Sequence, residues 1–335
     1  MKNGPSPIPD HSARAGAGRA GRLVQLLGPF LGLLIVVALF GAVAHEENFL
    51  SGHNFRTVAT QTVIVGLGAI GMTFVIVSGG IDLSVGSVIA LSSVVTAVLL
   101  DRGWPAPLAV AGGVGTGALC GLANGLLITS LRIVPFIVTL GMLGVARGAA
   151  KYLADEQKVD APAAWLAEVM SKSPEPSWLI VAPGVWLMFL LALLMGLVLR
   201  NTVLGTYTFA IGSNEATARL CGVPVPRTKV VIYTLCGVFA GLAGVMQFGR
   251  LTVGDPTTAM GKELDVIAAV VIGGGSLAGG EGRILGSIVG AFMMSFLANG
   301  CTLTDVPNYV QEILIGLIII GAVAVDRLRH RRAAS

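Results

Sequence analysis

The sequence predicts an all-α membrane protein, a polytopic helical bundle of about ten transmembrane spans with helices broken at glycine. Three observations carry that prediction. The chain is 54% hydrophobic and 12% charged, whereas soluble domains are about one quarter charged. Its apolar residues gather into successive runs close to the roughly 20 residues that a bilayer crossing needs. Two glycine clusters, Gly79-Gly80 and Gly273-Gly274-Gly275, interrupt those runs. Mean hydropathy is +0.82. The 46 glycines permit close backbone approach between helices in lipid, so a tightly packed bundle is expected.

Taken in order, residues 1–22 are rich in Pro, Gly and Ala and carry Arg14, Arg19 and Arg22. No apolar run precedes a cleavage site of secretory spacing, so a disordered cytoplasmic tail is expected rather than a signal peptide. A membrane domain over 23–326 follows. Its spans are expected near 23–44, 58–78, 85–100, 107–129, 133–152, 179–199, 228–249, 263–279, 284–303 and 309–326. The third and eighth are short or broken by glycine. A basic cytoplasmic tail, 327–335, ends the chain.

Ten spans put both termini on one side, and the basic residues choose that side. The inside segments would hold Lys2, Arg14, Arg19, Arg22, Arg132, Arg200, Arg219, Arg227, Lys229, Arg283, Arg327, Arg329, Arg331 and Arg332, which is 14 of the 22 Lys and Arg. Arg56, Arg102, Arg147, Lys151, Lys158, Lys172, Arg250 and Lys262 fall on outside loops and span ends. Short loops rich in Lys and Arg stay cytoplasmic, so both ends are expected inside. The net charge of +4 therefore serves topology rather than nucleic-acid binding. The largest outside loop, 153–178, carries Asp155, Glu156, Asp160, Glu168 and Glu175. Its Trp165 and Trp178 suit a membrane interface.

The stretch 200–229 is the longest polar interruption in the second half. Within it, Gly212, Ser213, Asn214, Glu215, Ala216, Arg219, Leu220 and Gly222 outline a short helix with readable ends. Asn214 or Ser213 suits the N-cap, and Glu215 sits in the first turn, where the macrodipole favours an acid. Arg219 falls late, Gly222 suits a left-handed C′ position and Pro224 forbids continuation. A helix this short is marginal in water and must dock on something. It either caps its own bundle or receives a partner.

Between the second and third spans lies Ser78-Gly79-Gly80-Ile81-Asp82-Leu83-Ser84-Val85-Gly86-Ser87. Asp82 or Ser84 is placed to cap a fresh helix. An acid near membrane depth is costly and faces a cavity or a partner, and broken helices there are tolerated only when buried or lining water. The stretch reads either as a gate or pathway lining, with Gly79, Gly80, Asp82, Ser84 and Gly86, or as a plain cap. A similar break at Gly273, Gly274 and Gly275 runs on to Gly279-Gly280. Transporters carry such paired interruptions near their functional centre.

Other chemistry is excluded. Gly66, Gly68 and Gly71 fit G-x-G-x-x-G but lie in an apolar span without flanking strands. Lys262 follows Gly261, yet Glu263 stands where a phosphate loop needs Ser or Thr. Cys120, Cys221, Cys236 and Cys301 show no C-x-x-C spacing, so no metal site is expected. No catalytic constellation is present, and no enzyme is expected. Gln61, Asn124, Arg147, Gln247, Asp265, Asn299, Gln311 and Glu312 lie in or beside spans, where each suits an interhelical hydrogen bond of about 1 kcal/mol.

Four motifs, SGGIDLSVGS at 78–87, PFIVTL at 135–140, GSNEATARLCGV at 212–223 and ELDVIAAVVIGGGSLAGG at 263–280, resemble the inner-membrane permease of ribose-type sugar ABC importers. The resemblance runs in order from about 58 to 326. It implies a permease that moves a simple sugar across the bacterial inner membrane within the lipid bilayer. It also implies a second permease copy, as a homodimer or heterodimer, and a periplasmic sugar-binding protein. A separate ATP-binding protein with two nucleotide-binding halves would hold the ATP and Mg, with no cofactor on this chain. The family's coupling element corresponds to Gly212–Gly222. Family members often have Gly-Asn before that helix, and here Ser213 intervenes. The implied mechanism is alternating access driven from outside the chain. Aromatic residues, which stack on sugars, make up 6%, so specificity is expected in the binding protein. The rivals are a branched-chain amino-acid or nucleoside permease of the same fold, and an ion-coupled secondary transporter using Asp82 and Asp265.

Overall fold

The structure, a computed structural model, describes residues 11–44, 48–172 and 179–334, with side chains from 27 to 324 within those bounds. Lys2, His45, Glu175 and Trp178 lie outside the described residues.

Helices α1 (His11–Val43), α2 (Gly52–Val77), α3 (Val85–Asp101), α4 (Ala106–Ser130) and α5 (Pro135–Leu153) make the first half. The second half has α6 (Trp165–Val169), α7 (Pro183–Asn201), α8 (Val203–Ser213), α9 (Glu215–Leu220), α10 (Val225–Leu251), α11 (Lys262–Ile272), α12 (Ile284–Leu303) and α13 (Asn308–Ala334). Pro135 and Pro183 open α5 and α7 at the first helical position, where the missing N–H costs nothing. Ser51 caps α2 by accepting from the Asn54 amide at 3.1 Å. The boundary expected at residue 23 falls inside α1, since the Ala- and Arg-rich stretch from His11 favours helix. Likewise α13 continues through the expected tail to Ala334.

Among the described residues, six helices are long and apolar enough to cross a bilayer by themselves: α2, α4, α5, α7, α10 and α12. Three shorter apolar stretches accompany them, Leu27–Val43, Val85–Asp101 and Asn308–Ala324. The remaining expected span, 263–279, is corrected. Helix α11 stops at Ile272 after 11 residues. At 1.5 Å per residue it rises about 16 Å, half of the roughly 30 Å hydrocarbon core. Glycines Gly273 to Gly275 end it.

At the centre stands α2, buried along nearly its whole length against α10, α12, α11 and α7. Helix α10 lies along α4 through glycines four residues apart. A β-carbon at Gly117 would strike the Gly237 carbonyl, one at Gly121 the Tyr233 carbonyl, and one at Gly125 the Val230 backbone. Only glycine allows backbones so close. Outward-facing Leu119, Trp186, Leu190, Leu193 and Leu197 leave an apolar belt for lipid.

Two features were not expected. The polar stretch 200–229 holds a further helix, α8; its Val, Thr and Tyr are weak helix formers. Packing fixes it instead, for Thr208 and Ile211 are buried. The stretch 153–178, expected outside, contributes strand β1 (Val159–Asp160), antiparallel to β2 (Val253–Gly254) after α10. Leu166 of α6 is buried against Gly249. These elements close the end of the bundle away from α9.

Candidate functional site

Helix α9 begins and ends as its sequence dictates. Asn214, not Ser213, is the N-cap, and its side-chain oxygen accepts from the Thr217 amide at 2.9 Å. Gly222 has φ +84°. The Gly222 amide bonds the Arg219 carbonyl at 3.1 Å and the Val223 amide that of Ala218 at 3.0 Å, which is the Schellman closure. Ala218 is buried with Ile211 and Val225, tying α9 to the bundle. Glu215 accepts from Arg219 at 3.0 Å and from Lys229 at 2.7 Å. The Lys229 hydrogen bond, against opposing desolvation, holds the Glu215 carboxyl below its ordinary 4.5. Ser213, Asn214, Ala216, Arg219 and Leu220 face outward. Leu220 is 89% exposed, at the tip of a polar element where no lipid belt accounts for it.

The two glycine breaks are built alike. At the end of α2, the Gly79 and Gly80 amides bond the Ile76 and Val75 carbonyls at 2.9 Å. At the end of α11, those of Gly274 and Gly275 bond Val271 and Val270 at 3.0 and 2.9 Å. Gly79 and Gly274 occupy the left-handed region, at φ +79° and +93°, which glycine alone enters without strain. The breaks also meet each other. The Gly280 amide donates to the Val77 carbonyl at 2.8 Å. A β-carbon on Gly279 would stand 2.6 Å from the Gly212 carbonyl oxygen and 3.0 Å from the Gly79 Cα. One on Gly212 would overlap the Val77 carbonyl and the Gly280 amide. Thus Gly79, Gly212 and Gly280 converge at the foot of α9, and Ser213 lies against Gly280. Gly273 abuts the Gly286 backbone, and Gly80 abuts the Tyr233 hydroxyl.

From that junction the first break turns back into the bundle. Asp82, 2% exposed, accepts from the Ser84 amide at 2.9 Å and the Ser84 hydroxyl at 2.6 Å. Asn124 donates to that hydroxyl at 3.1 Å. Asp82 therefore shapes the entry to α3, while Ser84 makes no cap bond to the helix. Further on, a β-carbon at Gly86 would touch the Ala259 carbonyl and the Glu263 carboxylate. Six residues separate Gly79, beside Gly212, from Gly86, beside the start of α11.

The start of α11 lines a cavity of about 210 Å³. Gln61 of α2, Gln247 and Arg250 of α10, Lys262 and Asp265 of α11 and Ser295 of α12 supply its polar groups; Ile64, Val65, Met294 and Ala298 supply apolar ones. Lys262 pairs with Asp265 at 2.6 Å. Gln247 donates to the Thr258 hydroxyl at 2.6 Å. The buried Nε of Arg250 has no hydrogen-bond partner. The loop 252–261 forms the roof, and Arg147 pins it by donating to the Pro256 and Thr258 carbonyls at 2.8 and 2.7 Å. Gln247 and Arg250 lie 22 and 25 residues along α10 from Val225, about 33–38 Å from the α9 end.

The structure thus gathers Gln61, Gln247 and Asp265 into one cavity. Asn124 joins Asp82 instead, and Asn299 accepts from Asn54 at 2.8 Å. Ser295 escaped the sequence reading, and Arg250 was read there only as a basic residue at a span end, since only tertiary packing brings them to the cavity. The four-residue spacing of Gly113, Gly117, Gly121 and Gly125 was a legible signal for the α4–α10 contact. Among the described residues, no group of His, Cys, Asp and Glu is placed to hold a metal.

Comparison with known proteins agrees with this architecture. Residues 54–323 match the family model for the permease component of branched-chain amino acid transport systems. The chain is 38% identical over 300 residues to the ribose import permease protein RbsC of Escherichia coli, covering 90% of this chain and 93% of the relative. It is 35% identical over 328 residues to the L-arabinose ABC transporter permease protein AraH of Azospirillum brasilense, covering 98% and 95%. It is 37% identical over 312 residues to the fructose import permease protein FrcC of Rhizobium meliloti, covering 91% and 86%. No solved structure gives a significant match.

Proposed function

The chain belongs to the family of branched-chain amino acid transport system permease components, and from that premise we propose that it is the permease subunit of an ATP-driven importer for a monosaccharide. The observation that carries the substrate class is the 35–38% identity, over nine-tenths of the chain or more, to permeases named for ribose, arabinose and fructose. It is a transport component of the inner membrane and not an enzyme. ATP is hydrolysed by a separate chain of the import system, and a substrate-binding protein delivers the solute.

In our reading the chain crosses the membrane ten times with both termini in the cytoplasm, the half-length α11 and its flanking loops together making one of the crossings. The bias of its basic residues supports this, as does the gathering of 78–84, 200–224 and 273–283 at one end of the bundle. The partners are an ATPase with two nucleotide-binding halves, which carries the ATP and Mg, a periplasmic sugar-binding protein and a second permease copy. Helix α9 is the element on which the ATPase pushes. Gly212, Gly222 and the Asn214 cap set its position. Glu215 and Arg219 stiffen it, and Ser213, Ala216 and Leu220 present its outer face.

The mechanism follows from the junction. Displacing α9 moves Gly212, which is in backbone contact with the end of α2 and with Gly280 in the loop that follows α11. The first break carries that motion from Gly79, through Gly80, Asp82 and Ser84, to Gly86 beside the α11 start. Helix α11 carries it from Gly273, Gly274 and Gly275 to Lys262. Both routes reach the cavity, so ATP binding outside the chain alters its access. The test is reconstitution with the ATPase and binding protein in vesicles. ATP-dependent uptake of D-ribose, L-arabinose or D-fructose is expected. Leucine uptake without sugar uptake would select the amino-acid branch. Transport by the permease alone would overturn the ATP-driven reading.

A further inference from the structure

We propose that Tyr233 is a positioning residue of the transport cycle, a hydrogen-bond donor that stands idle in this conformation and takes the Asp82 carboxylate when the 78–84 break shifts; this rests on the reading in which α9 drives that break. Tyr233 belongs to α10 and is 1% exposed. Its ring reaches the glycine turn, and a β-carbon on Gly80 would collide with its hydroxyl. A phenol buried so deeply ordinarily has a partner. This one has none, and it is enclosed beyond the reach of solvent. The hydroxyl stands in the field of the Asp82 carboxylate, whose residue follows Gly80 after Ile81. The Oδ1 atom of Asn124, on α4, is a second buried polar atom without a partner.

The two idle atoms are a donor and an acceptor, and both ride on one rigid pair of helices. Backbones of α4 and α10 touch at Gly117, Gly121 and Gly237, so Tyr233 and Asn124 keep their spacing. Asp82 and Ser84 belong instead to the break, whose Gly79 adjoins Gly212. In this conformation the Ser84 hydroxyl donates to Asp82 Oδ1 at 2.6 Å, and the Asn124 amide donates to the Ser84 oxygen at 3.1 Å. A serine hydroxyl has one proton, so Ser84 cannot serve Asp82 and Asn124 Oδ1 together. Shifting the break exchanges the donors. Ser84 turns its proton to Asn124 Oδ1, and Tyr233 takes its place on Asp82. The Asn124 amide, which already faces Asp82, remains a donor to that carboxylate. Each hydroxyl keeps its own proton throughout. Neither Tyr233 nor Asn124 is then left unmatched, and an unmatched buried group is the costly case. The second conformation thus recovers at this node what the first leaves unmade, which offsets part of the work that α9 must supply.

Tyr233→Phe keeps the ring and removes only the hydroxyl. In the solubilised permease, which is in the first conformation, the melting temperature is expected to equal or exceed that of the wild type, because an unmatched group is gone. In vesicles with the ATPase and binding protein, ATP-driven uptake is expected to fall about tenfold, from one hydrogen bond lost in the second conformation. A tyrosine that merely fills space predicts wild-type uptake, since phenylalanine fills it equally. The hydroxyl itself is read by infrared spectroscopy. Tyr152, Tyr207 and Tyr309 are replaced by Phe, leaving Tyr233 the only tyrosine of the chain, and the permease alone carries ring-13C tyrosine. Between the nucleotide-free permease–ATPase complex and the complex trapped with ATP and vanadate, the tyrosine C–O stretch is expected to move from the free to the hydrogen-bond-donating position. This measurement keeps Tyr233 in place, so it decides even where Tyr233→Phe fails to assemble. Wild-type uptake in Tyr233→Phe, or an unmoved tyrosine band in a complex that transports with ATP, overturns the exchange. If wild-type vesicles take up solute without ATP, it is the ATP-driven reading that fails.

Discussion

The amide of Gly280 donates a 2.8 Å hydrogen bond to the carbonyl oxygen of Val77, joining the end of α2 to the loop that follows α11 across 203 positions of sequence. Gly212 lies directly on that bond. Any side chain at 212 must part the end of α2 and this loop from α8.

Gly212→Val is therefore expected to separate α8 from the α2–α11 junction. Overpacking of this kind costs about 1–3 kcal/mol, and here it acts where α9 meets the bundle. ATP-driven uptake should fall at least tenfold, while the melting temperature of the solubilised protein drops by a few degrees. Wild-type uptake in this variant would show that the junction does not transmit force.

Leu220→Ala tests the outward face of α9. The side chain is 89% exposed, so its loss should leave the free permease as stable as before. An apolar anchor at an interface is worth about 1–2 kcal/mol or more, which predicts roughly tenfold weaker ATPase binding. Titration of the ATPase onto the solubilised permease reads this directly.

The Glu215 ion pairs give a pH dependence whose sign is fixed. The folded carboxyl titrates below its ordinary 4.5. Its contribution is thus complete above the unfolded value, and it is lost as pH falls through the lowered folded one. Because the carboxylate is 42% exposed, screening keeps the effect small. Hydrogen exchange at Ala218 and Leu220 should stay constant from pH 8 to 5 after correction for intrinsic rates. It should quicken below that range. In Glu215→Gln the quickening should vanish. In the double variant Glu215→Ala with Arg219→Ala, ATP hydrolysis is expected to proceed without uptake.

Arg147→Met removes both donors to the loop over the cavity. Hydrogen bonds from a charged group are worth about 1.5–3 kcal/mol, and the Pro256 and Thr258 carbonyls have lost theirs. Tryptic cleavage after Lys262 should accelerate severalfold in the variant. Unaltered cleavage would mean that β1 and the Lys158–Asp255 pair, 3.6 Å apart, hold the loop unaided.

Gly121→Val should disturb the α4–α10 contact, where its β-carbon would run into the Tyr233 carbonyl. Full separation of two backbones is a larger insult than overfilling a side-chain gap, so at least the 1–3 kcal/mol of overpacking is expected. Loss of folded protein on size-exclusion chromatography measures it.

What was readable in the chain divides along physical lines. Local chemistry wrote itself plainly. Asn214, Gly222 and Pro224 bound α9 within one residue of expectation, and the glycines at 79 and 274 terminate their helices. Helix α8 was hidden because Val203, Thr206 and Tyr207 carry little intrinsic helix preference and depend on burial of Thr208 and Ile211. The expected span 263–279 overran because hydropathy continues through Gly273–Ala278 after the helical backbone has ended. The meeting of Gly79, Gly212 and Gly280, and the gathering of Gln61, Gln247 and Asp265, are long-range facts. No local spacing encodes them.

The half-length α11 has a bearing on leakage. In the proposed cycle, the end of the bundle at α9 is closed below α11 by little more than two glycine turns, not by a full-height helix. Such a cork withdraws with a small displacement. It also reseals without repacking the long helices around it, which lets the barrel of the bundle stay rigid, and closed to ions, while the plug alone cycles.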